Sequence, residues 1–323
     1  MNPPDVPAPD QPDAEDGAVE ASAEPPAEPF ADADLAGATV VTDEPLAPKT
    51  WLRVGGPAQH FAEPVNREQL QALVRRCAET GTNCRLLGGG SNLLVRDEGV
   101  SGLVIRLPKE HWSDLTIDKV VGSVTVDCGA PLSHLVAETV KAGLAGLETL
   151  VGIPGTVGGA LHGNSGGRHA DVGSVCESVE VMTRSGDICT RTRDELSFGY
   201  RRSSLDELCL LRATFALRPA DPDALADRAR KTWILKKSSQ PLSHQSAGCV
   251  FKNPRGQSAG DLIERAGLKG TRVGGAEVSD RHGNFIVTGE GAKSADVLRL
   301  IDLCRDTVLQ RTGVELETEL RIW

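Results

Sequence analysis

The chain reads as an α+β protein with its sheets in separate lobes, and three observations predict this. Strand-like and helix-like segments are mixed, without the regular βαβ alternation of a doubly wound parallel sheet. Of the 323 residues, 39% are hydrophobic and 25% charged, the usual balance of a globular chain, and the length suits two or three structural units. A change of composition at Pro219-Ala-Asp-Pro222 marks a boundary between units.

Residues 1–38 hold ten acidic side chains, eight prolines and no Lys or Arg, which predicts a disordered acidic Pro/Ala-rich leader. It has neither the basic start and apolar stretch of a secretory signal nor the basic character of an organelle transit peptide. Removing its ten acids from the 45 leaves 35, equal to the 35 Lys and Arg, so the net charge of −10 resides in the leader. A neutral body without a basic stripe argues against nucleic acid as a partner. No stretch approaches the ~18 apolar residues of a membrane span.

Thr39-Val-Val-Thr42 predicts a first short strand. Asn66 to Gly81 predicts a helix, since Leu70, Leu73, Val74 and Cys77 recur at helical spacing. Arg85-Leu-Leu, Leu93-Leu-Val95, Val104 to Leu107 and Val124 to Cys128 read as strands. A helix with Pro131 in its first turn runs to Gly143. Val179 to Met182 and Gly186 to Thr190 predict a hairpin, and Leu208 to Leu217 a long strand. Beyond the boundary, Asp223 to Lys237 is helical and Ser258 caps a short helix stopped by Gly267. Asn284 to Val287 is a strand, a helix runs from Ser294 to Thr312, and Val314 to Ile322 alternates as a strand. The expected units are 39–218, with lobes at about 39–107 and 108–218, and 219–323.

Eight cysteines stand at 77, 84, 128, 176, 189, 209, 249 and 304, with no CxxC pair and no zinc-ligand spacing among Cys and the seven His. Scattered thiols fit a reducing cytoplasm, and no metal is expected. Two segments are dense in glycine: Gly88-Gly-Gly-Ser-Asn92, and Gly152-Ile-Pro-Gly-Thr-Val-Gly-Gly159. Glycine lets backbone N–H groups approach a ligand closely, and successive amides form an anion nest. Neither segment is a GxGxxG fingerprint or a P-loop, so ATPase and standard dinucleotide readings fail. Each alone is as readily a tight turn; two together, with Ser91, Asn92 and Thr156, favour a pyrophosphate cofactor.

In Ser246-Ala-Gly-Cys-Val-Phe-Lys-Asn-Pro254, a strand from Cys249 to Asn253 would put Cys249, Phe251 and Asn253 on one face and Lys252 on the other. A thiol beside a carboxamide offers a proton donor, although a lone free cysteine is more often a small buried hydrophobe.

With Thr50 to Gly56, Leu87 to Val95, Ile153 to Ala160, Ser197-Phe-Gly-Tyr-Arg201, Ser246 to Pro254 and Leu316 to Arg321 in this order, the chain resembles the UDP-N-acetylenolpyruvoylglucosamine reductase family. The likeness runs from about Thr39 to the C-terminus and is closest to the shorter subclass, without a Tyr-bearing insertion loop. It implies a two-lobed FAD-binding domain of the vanillyl-alcohol-oxidase (PCMH) type over 39–218. A C-terminal α+β substrate-binding domain follows over 219–323, its last strand returning to the active site.

The implied activity is NADPH-dependent reduction of UDP-N-acetylglucosamine enolpyruvate to UDP-N-acetylmuramate, in the cytoplasm, with bound FAD and no obligate protein partner. By resemblance, Cys249 gives the proton, and Arg201 and Glu319 hold the carboxylate. Tyr200, Lys237 and Asn253 bind the substrate. FAD falls to Gly88, Gly89, Gly90, Ser91, Asn92, Gly152, Ile153, Pro154, Gly155, Thr156, Gly158 and Gly159. The family often has Ser at position 249, and Leu161 to Gly167 departs from its Asn-Ala-Gly pattern; His162 and His169 receive no role. Two other readings are another FAD-dependent oxidoreductase of the same fold and a catalytically inactive nucleotide-sugar-binding homologue.

Overall fold

The first sheet has the strand order Val40–Pro45, Pro57–Ala62, Val100–Arg106, Cys84–Leu87 in the computed structural model, which describes residues 29–31, 33–167 and 170–323. Its outer pair is antiparallel and the other two pairings are parallel. Helix α1 (Arg67–Thr80) packs Leu70, Leu73, Val74 and Cys77 against it, each buried Leu or Val stabilising by roughly 1.5–3 kcal/mol. The side chain of Asn66 accepts from Gln69 N–H at one end, and Gly81, at φ 67°, closes the other in the left-handed region.

The second sheet is wholly antiparallel, in the order Ile188–Thr192, Cys176–Met182, Cys209–Ala216, Ser123–Asp127, Leu115–Asp118. Its last strand, Leu115–Asp118, alternates apolar and polar residues and half-buried and exposed positions, and is not among the strands expected from sequence. Helices α2 (Leu132–Lys141) and α3 (Val157–His162) share a core with Val124, Val126, Val179, Val181 and Phe215. Pro131 precedes α2 as its N-cap rather than lying in the first turn. The guanidinium of Arg67 on α1 donates to Glu180 in the second sheet (2.7 Å), joining the two lobes.

Helix α4 (Pro222–Ser239) leads to a third sheet ordered Gln245–Cys249, Phe285–Thr288, Ala276–Val278, Arg272–Val273. Helices α5 (Ala259–Arg265) and α6 (Ser294–Thr312) cover it. Leu52, Val54 and Leu94 from the first lobe join its core with Phe251, Ile263, Leu300 and Ile301, so this unit is built onto the first rather than tethered to it.

Three segments differ from the sequence reading. The strand expected over Cys249–Asn253 is Gln245–Cys249, and the alternation fails beyond it: Val250 and Phe251 are both buried, and Asn253 is exposed. The C-terminal strand contracts to Arg321–Ile322, parallel to Leu93–Leu94, while Thr318 bridges to Phe251. Of the leader, 1–28 and residue 32 lie outside the described residues. Its end is packed: Leu35 is buried, Phe30 meets the His60 ring edge-on, and Pro29 accepts from Arg76 Nε (2.6 Å).

Candidate active site

The two glycine segments meet. A Cβ on Gly89 would lie 2.7 Å from Gly155 Cα, and one on Gly90 only 2.3 Å from the Lys49 carbonyl oxygen. Gly90 (φ 63°) and Gly155 (φ 105°) also adopt backbone that disfavours side chains. Ser91 Oγ donates to Pro154 O (3.2 Å), and Thr156 caps α3 by accepting from Gly159 N–H. Gly158 brings α3 against Cys128, where a Cβ would meet that side chain at 3.1 Å. Around this junction open three clefts of about 290, 660 and 650 Å³, all lined by Gly88 and Thr156. The first takes in Gly158 and Gly159; the second holds Gly152, Ile153 and Pro154 with Trp51, Trp233 and Gly248; the third runs from Gly90, Ser91 and Asn92 to Arg201 and Glu319. Glycine backbone bare of side chains, facing space on several sides, fits an extended dinucleotide such as FAD.

Arg201 sits in the turn between the paired strands Phe198–Gly199 and Arg202–Ser203. Its φ of 56° is a left-handed conformation that a long side chain rarely adopts, at a local cost in free energy. Nη1 donates to Gly166 O (3.1 Å), the guanidinium lies 5.4 Å from the Tyr200 ring, and Nε stands 2.7 Å from Glu319 Oε1. The Nε–H is not directed at that oxygen, so the contact is an ion pair without an aligned hydrogen bond.

Glu319 arrives there on the returning C-terminal segment. The N–H groups of Glu319 and Leu320 donate to Val250 O (2.7 and 3.3 Å), and Lys252 N–H donates to Glu317 O (2.8 Å). Arg321 N–H donates to Asn92 O (3.1 Å), and Asn92 Nδ2 to Glu319 O (3.3 Å). One segment thereby ties the cysteine motif to the first glycine loop. Burial raises the Glu319 carboxyl above the usual carboxylate range, against the lowering pull of Arg201 and Lys252. Burial likewise pushes the Cys249 thiol up to about 12, reinforced by the Glu319 charge and opposed by Arg201 and by hydrogen bonding from Asn284. The thiol therefore keeps its proton at neutral pH.

Tyr200 is half exposed, and its hydroxyl accepts from Asn253 N–H (3.1 Å). Asn253 Oδ1 in turn accepts from Ala259 N–H at the start of α5 (2.9 Å). Lys237 is exposed and lines none of the three clefts. Its neighbour Lys236, unmarked in sequence, instead donates Nζ to Val151 O (2.7 Å), beside the second glycine loop. Burial, with the Arg201 charge, lowers Lys236 to about 8. Lys252, which strand alternation would send away, lines the third cleft with Arg201 and Glu319 and pairs with Glu317, because the strand stops three residues before it. His162 lines the first and third clefts with Nδ1 3.0 Å from Leu205 O; His169 lies outside the described residues. Among the described residues, no three His, Cys, Asp or Glu gather as metal ligands and no helix is long and apolar enough to cross a membrane.

Residues 58–191 match the family described as FAD binding domain, and residues 240–323 that described as UDP-N-acetylenolpyruvoylglucosamine reductase, C-terminal domain. The chain is 40% identical over 288 residues to the UDP-N-acetylenolpyruvoylglucosamine reductase of Lactobacillus johnsonii, covering 88% of this chain and 95% of that protein. It is 43% identical over 282 residues to UDP-N-acetylenolpyruvoylglucosamine reductase 2 of Symbiobacterium thermophilum, covering 87% and 91%. The crystal structure of the enzyme (MurB) from Thermus caldophilus is similar with a TM-score of 0.75 at 40% identity, over 88% of this chain and 98% of that one. With a two-lobed FAD-binding domain of the vanillyl-alcohol-oxidase type followed by the α+β domain that carries Cys249 and Glu319, the chain belongs to the UDP-N-acetylenolpyruvoylglucosamine reductase family.

Proposed function

We propose that the chain reduces UDP-N-acetylglucosamine enolpyruvate to UDP-N-acetylmuramate for peptidoglycan precursor synthesis, as an FAD-containing, NADPH-dependent oxidoreductase of the cytoplasm. The observation that carries this is the C-terminal segment, which bonds to Val250 and Lys252 just after Cys249, sets Glu319 2.7 Å from Arg201 and ties the cysteine motif to the first glycine loop at Asn92. Bound FAD, reduced at the expense of NADPH, would supply the hydride for the vinyl carbon beta to the substrate carboxylate.

The protein's residues do the rest. The electron pair of the double bond moves toward the carboxylate, where Arg201 holds the developing negative charge by its planar, permanently charged fork. Glu319, with its carboxyl raised by burial, takes up a proton beside the substrate carboxylate and donates a hydrogen bond to it. Cys249 gives its Sγ proton to the alpha carbon, completing the lactyl ether and leaving a thiolate that solvent reprotonates.

The cofactor would be held by Gly88, Gly89, Gly90, Ser91, Asn92, Gly152, Ile153, Pro154, Gly155, Thr156, Gly158 and Gly159. Tyr200 and Asn253 position the sugar side of the substrate, Lys237 faces its diphosphate, and Lys236 braces the second loop from α4. The enzyme needs no nucleic acid, membrane insertion or obligate protein partner. Mixed anaerobically with NADPH, the yellow protein should bleach, and UDP-N-acetylglucosamine enolpyruvate should restore the colour. A protein that bleaches but stays colourless with this sugar would overturn the substrate assignment.

A further inference from the structure

One side chain outside every cleft holds the cysteine motif in place. The ladder between Gln245–Cys249 and Phe285–Thr288 ends at the Cys249–Phe285 pair. Where the next peptide of the neighbouring strand would stand, the Asn284 carboxamide stands instead. Its Oδ1 accepts from Phe251 N–H (2.9 Å), and its Nδ2 donates to Phe251 O (2.8 Å). The Asn284 carbonyl also accepts from Val250 N–H (2.9 Å). Asn284 is only 2% exposed, so these bonds have no water to replace them. On its far side Val250 O accepts from Glu319 N–H (2.7 Å). One buried residue thus grips the two positions immediately after Cys249, and the second of its grips lies one peptide from Glu319.

We propose that Asn284 is the positioning residue for the proton donor: its carboxamide replaces a strand peptide against Phe251 and so fixes the Cys249 thiol and, through Val250, the Glu319 carboxyl relative to one another. This rests on the reading of Cys249 as the acid. A carboxamide does this without charge at every pH, because it presents one acceptor and one donor in a plane, matching a peptide's two groups. The same replacement explains how the chain leaves the sheet at Cys249, so that Val250 and Phe251 can both turn inward.

Asn284→Asp separates this role from mere folding. A carboxyl that carries its proton still offers one acceptor and one donor and mimics Asn; once ionised, it sets negative charge against Phe251 O. Of the neighbouring titratable groups, Glu319, also raised by burial, gives a limb of the same sign, but wild type carries it too, so the effect is read as the ratio of variant to wild type at each pH. His282, whose Nδ1 accepts from Asn284 N–H (3.2 Å), is held below its usual range chiefly by burial, so it stays neutral above neutral pH. The thiol keeps its proton far above it. Flavin reoxidation by the enolpyruvyl sugar should therefore be near wild type at the acid end and fall by roughly 100-fold as the new carboxyl ionises, the weight of a general acid. Bleaching by NADPH should not acquire that limb.

Asn284→Leu, of similar size without polar atoms, should retain flavin and lose reoxidation at every pH. A reoxidation ratio of Asn284→Asp to wild type that is flat with pH, parallel loss of both half-reactions, or loss of flavin at every pH in both variants would overturn the proposal. Cys249→Ala distinguishes the two readings. If that variant reoxidises normally, the acid assignment and this inference both fall; if it does not and the Asp ratio is flat, the inference alone falls.

Discussion

At the scale of single residues, the site depends on groups whose proton occupancy is set by burial rather than by a neighbouring charge. A free thiol titrates near 8.5, and Cys249 is pushed up to about 12. Strand alternation in the sequence also leads to a protonated thiol, but on the premise that Lys252 points away. Lys252 lines the cleft instead, and burial keeps the proton on sulfur. Glu319 follows the same logic with an effect on stability. Its folded-state carboxyl is raised, so the folded state binds that proton more tightly than the unfolded state. The stabilisation is complete below the unfolded value and is lost as pH rises through the folded one. Glu319→Gln has no such loss. Its melting temperature relative to wild type should therefore climb between pH 4 and pH 7.5, while sugar-dependent reoxidation slows; a difference independent of pH would contradict the raised carboxyl. Lys236 shows what single-residue reading misses. Two adjacent lysines at a helix end look alike in sequence, and the helix phase relative to the second loop decides which one reaches Val151.

At the scale of elements, local rules were legible wherever an element was set by its own residues. Helix α1 has its four apolar contacts, its Asn66 cap and its Gly81 stop within one contiguous stretch. The hairpin of the second sheet is equally local. The reading failed where a distant group replaced a local one. The strand expected past Cys249 is interrupted by a carboxamide 33 residues downstream in sequence, and the terminal strand is broken where residues 317–320 pair with the cysteine motif. The glycine loops fall between these cases: their composition marked them, but their mutual contact did not. That contact makes a prediction. A methyl group on Gly89 meets backbone, not a flexible side chain, at Gly155. Gly89→Ala should prise the loops apart, and the purified variant should be folded by circular dichroism but lack the flavin absorbance of wild type. Retention of full flavin would show that the loop junction does not support the cofactor.

At the scale of the whole molecule, the chain closes on itself. The last residues pair with Leu93–Leu94 in the first lobe, contact Asn92 in the first glycine loop and hold Val250 just beyond the third sheet's edge strand. No motif states this closure; six motifs in family order imply it, and the structure supplies the hydrogen bonds. The proposed division of labour follows from it, since the glycine loops lie in the first two lobes and Cys249 lies in the third unit. The two half-reactions should therefore be separable by mutation. Rapid mixing of Cys249→Ala under anaerobic conditions tests this most directly, with NADPH first and UDP-N-acetylglucosamine enolpyruvate second. The flavin should bleach at the wild-type rate and then fail to recover its colour; recovery at the wild-type rate would show that Cys249 is not the proton donor.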